Sequence, residues 1–91
     1  MKFYDIVIAY DIADLKRLRR ISKYLEKNAY RIQKSLFFYP KVTKFDIDRL
    51  KRDIEEIINK KEDDVRIYKV DVKKSISLQS GINLKSFNVV L

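Results

Sequence analysis

The chain has 91 residues, 46% of them hydrophobic, with 21 Lys and Arg against 13 Asp and Glu and a formal charge of +8. With neither cysteine nor histidine, its single small core can be braced neither by disulfides nor by the usual zinc centre, which leaves association with a second copy as the stabiliser. The same absences remove every Ser-His or Cys-His nucleophile pair, the lone Gly81 excludes Gly-rich phosphate loops, and no apolar run approaches the length of a membrane span.

The sequence predicts a first strand over Phe3–Tyr10, apolar on both alternating sets. Both of its faces must then be covered, one by helices and the other by a second sheet or another subunit. The strand ends on Asp11, and a basic helix follows at once. A carboxylate at the tip of a buried strand beside a row of cations suits a divalent cation and a phosphodiester; it also suits a plain strand terminator that stabilises a helix N-terminus. Asp14 caps a helix running to about Lys27, with Leu15, Leu18, Ile21 and Leu25 as its buried stripe. Lys16, Arg20, Lys23 and Lys27 form one ridge on another face, and Arg17 and Arg19 flank the stripe.

Tyr30–Tyr39 is strand-like, either one bent strand or two with a tight turn near Lys34, and Pro40 ends it. Tyr30, Ile32, Leu36 and Phe38 fall on one set; Arg31, Gln33, Ser35, Phe37 and Tyr39 fall on the other. Thr43 opens a second helix through a capping box with Asp46, and Val42 and Ile47 are placed to form a hydrophobic staple. Ile47, Leu50, Ile54, Ile57 and Ile58 supply the buried face of this helix. A charged turn at Lys60–Asp64, a strand at Val65–Val70, a polar linker at Lys73–Ser86 and a last short strand at Phe87–Leu91 complete the chain.

The order indicates an α+β fold, a ferredoxin-like βαββαβ sandwich forming a single domain over residues 1–91, with an extra C-terminal strand exchanged in a homodimer. Charge is one-sided within it. Between Asp14 and Lys34 stand eight cations and two anions, as a phosphate-tracking surface needs. The expected partner is nucleic acid, held through its backbone by Lys16, Arg20, Lys23 and Lys27, and the expected location is the cytoplasm, away from membranes.

Ile8-Ala9-Tyr10-Asp11-Ile12, the basic helix start at Lys16–Arg20, Arg31-Ile32-Gln33-Lys34-Ser35-Leu36-Phe37 and Asp64-Val65-Arg66-Ile67-Tyr68 together resemble the CRISPR-associated Cas2 family. The resemblance implies a ferredoxin-like homodimer with exchanged C-terminal strands, set between two dimers of the Cas1 integrase during spacer acquisition. It also implies a metal-dependent phosphodiesterase acting on RNA or DNA, with double-stranded DNA or single-stranded RNA as the nucleic-acid partner. The chain departs from the family pattern at Asn28-Ala29, where members usually carry Gly, and at Phe38, where many carry an acid. Asn28 is a residue that tolerates the left-handed conformation of a helix cap.

On this basis Asp11 is the expected ligand for Mg²⁺ or Mn²⁺. Arg17, Arg19 and Arg31 are the expected counter-charges to a phosphoryl transition state. Tyr10, Ser35 and Phe37 complete the candidate catalytic set, each with a structural alternative: Tyr10 as core, Ser35 as a backbone partner in a bent strand, Phe37 as packing against a partner or nucleic acid. A stand-alone metal-dependent ribonuclease of toxin type is the alternative function.

Overall fold

The computed structural model describes residues 2–70, together with the strand backbone at residues 76–77, 81–82 and 88–89. Its elements are β1 (Tyr4–Asp11), α1 (Leu15–Glu26), β2 (Tyr30–Gln33), β3 (Leu36–Val42), α2 (Lys44–Ile57), β4 (Asp64–Val70), β5 (Ile76–Ser77), β6 (Gly81–Ile82) and β7 (Asn88–Val89). The main sheet is antiparallel, in the order β2-β3-β1-β4-β7. With two helices joining its strands, this is the ferredoxin-like arrangement.

β1 lies between β3 and β4, which explains its double apolar pattern. Ile6, Ile8 and Tyr10 join the core with Phe37, Val42 and Ile67 from the sheet, Ile21 and Leu25 from α1, and Ile47, Leu50 and Ile54 from α2. Val7 points to the other face and is still 0% exposed, because its cross-strand partners are the large side chains of Phe38 and Tyr68.

Both helices start where the sequence places them. The Asp14 carboxylate accepts from the Arg17 amide at 3.0 Å. In α2 the Thr43 hydroxyl accepts from the Asp46 amide, and the Asp46 carboxylate accepts from the Thr43 amide. The Thr43 amide, with the Thr43 hydroxyl, donates to the Asp46 carboxylate and holds it below the usual carboxylate range. α1 closes without a left-handed residue, since the amides of Asn28 and Ala29 both donate to the Leu25 carbonyl. Among the described non-glycine residues, positive φ occurs at Ser35 (75°) and Lys41 (53°), and not at the expected Asn28.

The Tyr30–Tyr39 region is two strands, with the turn at Lys34-Ser35. The Ser35 carbonyl accepts from the Tyr10 amide at 3.1 Å and ties the turn to the end of β1. Pro40 does not end β3, which continues to Val42. The register with β1 shifts there, so that Ile6 and Tyr4 face Tyr39 and Val42. The extra residue of a bulge accommodates a proline that a regular ladder would exclude. The stretch expected as a polar linker contains the paired strands β5 and β6. β7 pairs with β4 of its own chain through Tyr68↔Val89 and Lys69↔Asn88; Phe87, Val90 and Leu91 of the expected last strand lie outside the described residues.

Candidate metal site and nucleic-acid interface

β1 ends where β4 begins, and the antiparallel register sets Asp11 opposite Asp64 and Ala9 opposite Arg66. By strand alternation these four share the sheet face that carries Val7, away from the helices. Ala9, Tyr10, Asp11, Ser35, Asp64 and Arg66 line a depression of about 200 Å³ at this edge. Arg66 Nε donates to Asp64 Oδ2 at 3.1 Å, which raises the guanidinium pKa further. Asp11 is exposed and joins no ion pair among the described residues. No group of three or more His, Cys, Asp or Glu gathers among the described residues, so one chain offers two carboxylates here.

The other residues singled out from the sequence separate. Tyr10 sends its ring to the helix side, where its hydroxyl meets Ser22 Oγ at 2.9 Å and its ring stacks on Phe37 at 6.1 Å. Phe37, expected on a contact surface, is 0% exposed within the core; the Arg31–Phe37 set turns towards the helices, and the Leu36–Phe38 set turns away from them. Arg31 pairs with Phe37 across the strands, lies 4.9 Å over its ring, and donates to Glu26 Oε1 at 2.9 Å. These three therefore lie on the opposite side of the sheet from Asp11.

Arg17 is occupied elsewhere. Its Nε donates to Asp63 Oδ2 at 2.7 Å, and its Nη2 donates to Glu62 at 2.9 Å and to Asp63 Oδ1 at 3.2 Å. The Asp63 carboxylate also accepts from the amides of Ala13 (2.9 Å) and Asn59 (2.8 Å), and its side chain is 0% exposed. Arg17 first, with the two amides, brings the Asp63 carboxyl down to about 2. This cluster clamps the β1–α1 connection, directly after Asp11, to the turn that leads into β4 and Asp64.

Asp63 carried no sequence signal of its own, and Asp64 and Arg66 stood out only as part of the Asp64–Tyr68 segment, with no site role attached. Their importance comes from which strand ends meet, and a periodicity does not reveal that.

Arg19, Lys16, Arg20, Lys23 and Lys27 are all exposed on α1, and none of them enters an ion pair among the described residues. If Lys16, Arg20, Lys23 and Lys27 hold phosphates, replacing the four with Ala should flatten the salt dependence of duplex-DNA affinity by about 0.9 in log–log slope for each phosphate no longer neutralised. Fluorescence anisotropy across a salt series measures this; an unchanged slope would move the binding surface off α1.

The family model for CRISPR associated protein Cas2 matches residues 4–75. The CRISPR-associated endoribonuclease Cas2 1 of Nitrosomonas europaea is 39% identical over 64 residues, a match covering 70% of this chain and 60% of that protein. The CRISPR-associated endoribonuclease Cas2 of Thermococcus kodakarensis is 35% identical over 65 residues, covering 71% of this chain and 74% of the relative. Among solved structures, a hypothetical protein, TT1823, from Thermus thermophilus superimposes with a TM-score of 0.72 at 26% identity, covering 77% of this chain and 84% of that one. Streptococcus pyogenes Cas2 at pH 6.5 gives 0.64 at 29% identity, covering 70% and 82%.

Proposed function

The chain belongs to the CRISPR-associated protein Cas2 family, and from that premise we propose that it acts as a homodimer with two linked roles. It holds duplex DNA by its backbone along α1 during spacer acquisition, bridging dimers of the Cas1 integrase. It also hydrolyses a phosphodiester with a divalent metal held at Asp11 and Asp64. The observation that carries the catalytic role is the register that sets Asp11 opposite Asp64 with Arg66 beside them. The relatives named endoribonucleases make single-stranded RNA the first substrate to test and duplex DNA the second.

The donor set fits the ion. Mg²⁺ is commonly bound through one or two carboxylates and keeps several of its waters, and Mn²⁺ shares its preference for oxygen ligands. Such an ion, when bound, polarises a phosphoryl oxygen and acidifies a water. The residues of the chain do the rest. Asp11 and Asp64 supply the negative charge that localises the cation. Arg66 orients the Asp64 carboxylate and sets a guanidinium on the face a phosphate approaches. Ser35 fixes the end of β1 through its carbonyl. On this reading Tyr10 and Phe37 act from the core, holding the strand that carries Asp11.

Cleavage of labelled RNA and DNA should require Mg²⁺, stop with EDTA and return with Mn²⁺. Asp64→Asn should lower the rate by at least about tenfold. Light scattering on the same preparation should give twice the 11.0 kDa chain mass. Cleavage that survives EDTA would refute the metal site, and a stable monomer would refute the homodimer.

A further inference from the structure

At the end of the sheet opposite Asp11, β1 begins and β4 ends beside the first turns of α2. Tyr4, Lys44, Ile47, Asp48, Lys51 and Lys69 line a pocket of about 250 Å³ there. Two ammonium groups lie over the Tyr4 ring, Lys69 Nζ at 4.3 Å from its centroid and Lys2 Nζ at 5.4 Å. Lys51 and Lys69 are half-buried, whereas Lys2 and Lys44 are exposed. None of these four lysines enters an ion pair among the described residues, and neither does Asp48, the carboxylate of the lining.

Three lysines line the pocket and Lys2 stands over the Tyr4 ring; their ammonium groups repel each other, and an anion relieves that repulsion. The electron-rich Tyr4 ring gathers two of them without neutralising either. The leading amides of α2 are not the attraction, since the capping box of Thr43 and Asp46 already engages that terminus. With lysines over it, Tyr4 serves as an anchor for cations and not as a platform for a base. The pocket therefore offers point charges, which suit phosphate oxygens and carry no base-edge readout.

We propose that this pocket is a second nucleic-acid backbone site, built from β1, α2 and β4 and separate from the α1 ridge. It rests on the nucleic-acid-binding part of the proposed function and extends the contact from one helix to the far end of the sheet.

The test uses the full chain and a fluorescent DNA duplex, titrated across a salt series. The combined variant Lys44→Ala, Lys51→Ala, Lys69→Ala should lower the log–log salt slope by about 2 to 3, at about 0.9 per phosphate neutralised. That decrease should add to the decrease in the α1 variant, because the two groups of residues share no partner. Asp48→Asn removes the opposing carboxylate and should tighten binding by about twofold to fivefold, the range of an exposed charge contact. A slope that falls in the α1 variant but not in the pocket variant overturns this site alone. Wild-type protein with no salt-dependent binding overturns the nucleic-acid reading and this site with it. Should the triple variant lose its fold, unchanged affinity in Asp48→Asn overturns the proposal.

Discussion

Asp11→Asn should reduce metal-dependent cleavage by about 100-fold or more, while fold and salt-dependent DNA affinity stay nearly intact. The substitution keeps the shape of the side chain and removes the charge that would hold a cation. Asp11 is exposed and outside every ion pair among the described residues, so its stability cost should stay within about 0.5 kcal/mol. Spacer acquisition in cells separates the two proposed roles. Acquisition preserved while cleavage disappears would make scaffolding the physiological role. Loss of both, with the dimer intact, would make the metal site essential to acquisition. Cleavage undiminished in purified Asp11→Asn protein would remove Asp11 from the site.

Asp63→Ala should cost about 2–4 kcal/mol in urea or guanidinium unfolding at neutral pH. The substitution leaves the Ala13 and Asn59 amides without their acceptor and Arg17 without its nearest counter-charge. The effect should depend on pH with a definite sign. The folded carboxyl titrates at about 2, against its ordinary 3.8. A depressed folded value stabilises the fold above the unfolded value, and that contribution is lost as pH falls through the folded one. The gap between wild type and Asp63→Ala should therefore narrow between about pH 5 and about pH 2. Asp46, also held low, contributes to the acid sensitivity of both proteins and cancels in the comparison. A gap that stays constant over that range would remove Asp63 from the acid transition.

Where the fold was legible, local chemistry determined it. The apolar runs of β1 and β4 and the stripes of α1 and α2 place those elements within a residue or so at most boundaries. Asp14 and the Thr43–Asp46 box act over three residues, a distance a sequence displays directly.

What was not legible depended on choices between two compatible patterns. Both sets of the Tyr30–Tyr39 stretch carry aromatics, so periodicity alone did not decide that Phe37 would be inside and Phe38 on the other face. The bulge at Pro40 looks like a strand terminus until its partner strand is known. The candidate site divides in the same way. Asp11 is marked by its own neighbours, whereas Asp64 gains its meaning from the β1–β4 register. The Arg17–Asp63 pair joins residues 46 positions apart, one of many pairings open to a chain with 21 cations.

The Asp63 carboxylate also bears on how the chain can change in length. It grips an amide in the connection after β1 and another at the exit of α2, so the two connections fit each other as a key fits a lock. Surface loops ordinarily accept insertions and deletions. Here a residue added to either connection would carry an amide away from its acceptor and shift a strand end that holds Asp11 or Asp64. Length changes in either connection therefore cost a bond to Asp63, whereas the Lys34-Ser35 turn can vary as far as the Ser35 carbonyl still meets the Tyr10 amide.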